Sequence, residues 1–186
     1  MSVDVASYIK ELPQNWKQLV CAEMKLLGFS VELHPYFDPI DPNQDTLWAR
    51  VIDFSRLIGT QPNADLLVGC GFSYASGSSV ESRGRWRLYP PEARGKVHLL
   101  GLHSASGRSR LTVALQLSFA AALATVADGA FHDQVNDVVY LPGSDLRNFI
   151  QNQMHDLTES GSMPFESWPP IDPDEAAEYD FPSEIS

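Results

Sequence analysis

The chain has 186 residues, with 24 acidic against 13 basic side chains, a formal net charge of −11 and 44% hydrophobic residues. That apolar content supports one real core and excludes wholesale disorder. The acidic balance disfavours a general nucleic-acid-binding role, because phosphate repels such a surface. The start, MSVDVASYIKELP, has neither a basic region leading into an apolar core nor a cleavage pattern, so a cytoplasmic location is expected. Cys21 and Cys70 lack metal-ligand spacing and are expected to be buried free thiols.

Residues 1–12 read as a short helical or irregular arm. Pro13 suits a first helical turn, after which Trp16, Leu19, Val20, Met24 and Leu27 mark one face of a helix that Gly28 stops. Phe29, Val31 and Leu33 alternate with Ser30, Glu32 and His34, the pattern of a strand covered on one face. Pro35 ends it, and YFDPIDPNQD is a turn-rich connection. TLWARVIDFSRLIG is compatible with a strand, or with a helix presenting Leu47, Val51, Phe54 and Ile58; a strand ending in a helical turn is the favoured expectation. LLVGCGFSYA predicts a central strand in which Gly69 and Gly71 mark a bulge or a close approach.

SGSSVESRGRWRLYPPEARG is a polar interlude with RGRWRLY as a short strand, followed by the strand KVHLLGLHSA. From Leu111 to Val126 only Thr112, Gln116, Ser118 and Thr125 interrupt the apolar residues, which predicts a helix covered on more than one face. It is too short and too interrupted to span a membrane. Gly129 is expected to take the positive φ that ends it. Asn136-Asp137 lies between two β-favouring runs, a possible hairpin. Ser144 is the expected N-cap of a last helix whose apolar face is Leu146, Phe149, Ile150 and Met154. From Thr158 onward Pro, Ser and acidic residues read as a tail, in which Phe165, Trp168, Ile171, Tyr179 and Phe181 are candidate anchors.

The chain has no phosphate-binding glycine loop and no HExxH. Gly71-Phe72-Ser73-Tyr74-Ala75 departs from a nucleophile elbow at its last position, which makes Ser73 an ordinary serine. His98, His103, His132 and Asp133 are the one constellation that could serve a hydrolase or metal-dependent enzyme, but His98 and His103 differ in parity and a strand would send them to opposite faces. Cys21 sits two residues before Glu23 with no identifiable base. Arg83, Arg85 and Arg87 would share one face of an extended segment, which reads as a guarded edge or a landing strip for the acidic tail, with a phosphate- or nucleic-acid-binding face as the alternative. No catalytic, cofactor-binding or metal-binding residue is assigned.

A helix ending in LLGF, a strand SVELHP and later FAAALATVADGAFHDQVNDVVYLP resemble, in layout over residues 13–157, the compact α+β immunity proteins of bacterial toxin–immunity systems. The resemblance implies a cytosolic protein that neutralises a cognate effector by covering its functional surface. The expectation is therefore a single α+β domain over residues 1–157, with an antiparallel sheet of about four to six strands against two or three helices, and an acidic Pro-rich tail over 158–186. The expected function is non-enzymatic binding of a protein effector, a basic one by charge, without cofactors. Asp38, Asp41, Asp172 and Asp174 would orient that partner, and Trp168 and Tyr179 would anchor it. The alternatives are the His/Asp enzyme and an assembly subunit of a mobile-element or phage system.

Overall fold

A computed structural model describes residues 4–35, 37–54, 66–76, 90–104 and 109–159. The RGRWRLY segment with Arg83, Arg85 and Arg87, the helical turn expected after Phe54, and Trp168, Asp172, Asp174 and Tyr179 all lie outside those residues. In chain order the elements are β1 (Asp4–Ile9), α1 (Trp16–Leu26), β2 (Ser30–Leu33), β3 (Thr46–Asp53), β4 (Leu66–Ser76) and β5 (His98–His103). Then come α2 (Arg110–Val126), β6 (Ala130–Asp133), β7 (Val138–Tyr140) and α3 (Ser144–Glu159). The strands form one antiparallel sheet in the order β2-β3-β4-β5-β1-β6-β7, packed against three helices, so the α+β class stands.

The expected N-terminal arm is instead the strand β1, seated between β5 and β6. It fills the gap straddled by the β5–α2–β6 crossover. DVASYI carries small or apolar residues on both faces, and Val5 through Ile9 are all buried. A strand covered on both sides has no alternation of polarity to announce it. Val5 and Ile9 join the main core under the helices, while Ala6 and Tyr8 join a second cluster with Ala93 and Ala130 on the opposite face. Ser7 points towards the helices and donates to the Ala120 carbonyl at 2.7 Å, which removes the cost of burying its hydroxyl.

Helix α2 is the hub, with every residue from Arg110 to Ala124 buried between the sheet, α1 and α3. Its alanines let backbones approach closely and keep helix propensity high. Ser109 caps its N-terminus by accepting from the Thr112 N–H at 3.1 Å. At the other end the positive φ belongs to Asp128 (46°), not to Gly129 as expected. Gly129 is needed for space, since a Cβ there would strike the Tyr8 carbonyl. Ser144 is likewise not the N-cap of α3 but its first residue; the Gly143 carbonyl takes the first helical bond, from the Arg147 N–H at 3.2 Å.

Around this hub, α1 buries Val20 and Met24 but leaves Leu19 40% exposed, outside the expected apolar face. Gly28, at φ 98°, then reverses the chain into β2. The 35–45 connection is fastened by Phe37, whose ring meets Phe72 and Phe119 edge-on with centroids 5.2 and 5.8 Å away. That buried anchor fixes where the acidic loop emerges.

Candidate functional site

The helices α1, α2 and α3 lie on one side of the sheet, against Val31, Leu47, Val68, Phe72, Leu100 and Phe131, while a short 3-10 turn over Pro91–Ala93 meets the other side through Ala93. The other side carries the complementary parity, and there β4 presents glycine. Trp48 of β3 pairs with Gly69, and His103 of β5 pairs with Gly71. A Cβ at either glycine would collide with the ring opposite, so the glycines let both rings lie down on the sheet. The close approach expected at Gly69 and Gly71 is thus made by side chains, and the register through both positions is unbroken.

Beside His103 lies a hollow of about 690 Å³, bordered by Asp4, Ser73, Gly101, His103, Ser104 and Gln134. Ser104 is only 7% exposed, and its hydroxyl has no hydrogen-bond partner among the described residues. Ser73 stands inside β4, not at a strand-to-helix turn, and its hydroxyl donates to the Gly101 carbonyl at 3.5 Å. A smaller hollow of about 210 Å³ sits by Trp48, bordered by His34, Gln44 and Asp45.

The four-residue constellation of the sequence is not assembled. His98 lies at the opposite end of β5 from His103, on the helix side, where its Nδ1 meets the Tyr74 hydroxyl at 2.9 Å. His132 bonds Tyr8 through Nδ1 at 3.2 Å and Asp137, not Asp133, through Nε2 at 3.1 Å. Asp133 instead holds the β6–β7 turn, accepting from the Val135 and Asn136 N–H groups and from the Asn136 amide. Among the described residues, no group of three or more His, Cys, Asp or Glu could hold a metal ion. The Tyr8–His132–Asp137 chain had no local signal, because Tyr8 reaches His132 only through the pairing of β1 with β6.

Asp38 and Asp41 both sit on the loop anchored by Phe37. Asp38 accepts from the Ile40 N–H at 3.1 Å, and its own N–H donates to Gln44 Oε1 at 2.8 Å. Asp41 accepts from the backbone and side-chain nitrogens of Asn43 at 2.9 and 3.0 Å. One oxygen of each carboxylate therefore shapes the loop while the charge stays at the surface. Lys17 donates to the Pro35 carbonyl at the loop's base. Burial lowers the Lys17 pKa against the opposing pull of Asp38. Burial, followed by the nearby Lys17 charge, lowers that of His34.

Both cysteines are free thiols, but only Cys70 is buried as expected, and Cys21 is half-buried at the edge of the core. Burial raises both pKa values, which disfavours the reactive thiolate. Glu23, the neighbour considered for Cys21, is paired with Arg147 at 2.8 Å. No helix among the described residues is long and apolar enough to cross a membrane. No family model, curated protein or solved structure matches the chain.

Proposed function

We propose that this chain is a protein-binding domain of the immunity type, which neutralises a basic effector by covering its functional surface. The observation that carries the reading is the pre-shaped acidic loop. Asp38 and Asp41 hold their own turns, Phe37 ties the loop to the core, and Asp45 continues it towards Trp48. A loop already ordered in the free protein loses little entropy on binding, so more of the contact energy reaches the affinity. Its carboxylates, within a chain of net charge −11, would steer a basic partner into encounter. Asp172, Asp174, Trp168 and Tyr179 of the tail would extend that contact with further charge and aromatic anchors.

The test begins with affinity capture of the partner from native lysate at low salt, followed by stopped-flow association. Asp38→Asn with Asp41→Asn removes two charges while keeping an oxygen that can accept the same turn bonds. The double variant should associate on the order of tenfold more slowly at low salt, with a shallower salt dependence and an unchanged melting temperature. Asp172→Lys with Asp174→Lys should act in the same direction. Association unaffected by the loop variant would remove the loop from the mechanism.

A further inference from the structure

The sheet ends at β7, and this edge deepens the binding reading on which the inference rests. We infer that the outer side of β7 pairs with an extended, basic segment of the protein partner. Among the described residues β7 is paired on one side alone, with β6. The N–H and C=O groups along its other side are a template that another extended backbone satisfies. Around it the chain exposes Val135 (48%), Val138 (39%) and Leu141 (55%), three of the eight large hydrophobic side chains exposed among the described residues. The opposite edge, β2, has buried or half-buried residues throughout.

The edge is held in shape before any partner arrives. Tyr140 stacks on Phe149 with ring centroids 4.5 Å apart, and the Asp133 carboxylate fixes the turn that leads into β7. A strand so fixed loses little entropy on pairing. Charge then decides among the occupants. Asp137, with one oxygen on His132, stands exposed where the strand begins. Beyond its far end the exposed Asp145 receives only the neutral Ser144 hydroxyl among the described residues. A second copy would set one net charge of −11 against another. The chain's own tail suits the edge no better: from Pro164 onward it carries seven carboxylates, no Lys or Arg, and five prolines that lack an N–H. A segment of alternating apolar residues with Lys or Arg at its ends meets the backbone, the exposed apolar side chains and the carboxylates together.

The probe is the acetylated, amidated peptide Lys-Val-Thr-Val-Thr-Val-Lys, titrated into the full chain and followed by amide chemical shifts. Saturable shifts at Val138, Val139 and Tyr140 are expected, with slowed hydrogen exchange at the same amides. The fully N-methylated peptide cannot donate to a strand edge and should bind at least about tenfold more weakly, as should the peptide with Glu at both ends. Val138→Lys and Asp145→Lys, both at exposed positions, should each weaken the probe while the far-ultraviolet circular dichroism stays that of the wild type, whereas Asp38→Asn should leave binding unchanged. Silence at the β7 amides, equal binding of either control peptide, or full binding by both Lys variants would overturn the inference. So would concentration-dependent self-association in sedimentation that Val138→Lys abolishes, which would assign the edge to a second copy. If the loop variants slow partner association while the peptide titration is silent, the edge fails and the acidic-loop reading stands. If the peptide pairs with β7 but the loop variants do not alter partner association, the loop reading fails and the edge stands.

Discussion

His34 illustrates how burial converts a single side chain into a pH dependence. It is 7% exposed, close to Lys17, and both conditions disfavour its charged form. Its folded pKa therefore lies below the unfolded value of 6.5, and the unfolded chain takes up the proton more readily. The stability linked to this group is complete above pH 6.5 and is lost as pH falls from there through the lowered folded value. Melting curves between about pH 7.5 and about pH 5.5 should show the wild type losing stability more steeply than His34→Gln. Parallel curves for the two proteins would assign the slope to other groups.

The joint between α2 and β6 decides how two elements meet. Asp128 takes the left-handed turn, with its carboxylate on Lys10 at 3.1 Å and its carbonyl receiving Lys96. Gly129 then passes against the Tyr8 backbone, where even a methyl group has no room. A rigid carbonyl in a paired strand cannot step aside as a flexible side chain can. Gly129→Ala should therefore cost about 1–3 kcal/mol, measured by denaturant unfolding. Gly71→Ala supplies the contrast: its Cβ would meet the tip of His103, which can rotate away. A loss at Gly129→Ala no larger than at Gly71→Ala would show that the backbone contact is not the constraint.

For the whole molecule the decisive placement is that of β1. It lies between β5 and β6, so it joins the β2–β5 part of the sheet to the β6–β7 hairpin. Deleting residues 1–9 would expose the edges of β5 and β6 and strip Val5 and Ile9 from the core. Such a chain should fail to give a cooperative unfolding transition by circular dichroism, and a well-folded truncated protein would refute the central role of the strand. The same placement brings Asp4 beside His103 and Tyr8 beside His132.

Much of the architecture was written locally. The unbroken apolar run of α2, the face of α1, the alternation in β2 and the paired runs of β6 and β7 each announce their element, because periodicity is a short-range property of the chain. Parity within β5 also separated His98 from His103 before any fold was known. What local pattern could not contain was pairing across long separations. β1 was mistaken because burial on both faces erases alternation, and with it went Asp4 and Tyr8. Alternation sends His132 and Asp133 to opposite faces of β6, but that Asp137 reaches the His132 ring was decided by the turn geometry. Residue order alone thus determined which segments become helix or strand. The face opposite the helices, with its rings resting on glycine and its hollow, was decided by strand order and register, since only these bring distant side chains to the same side of one sheet.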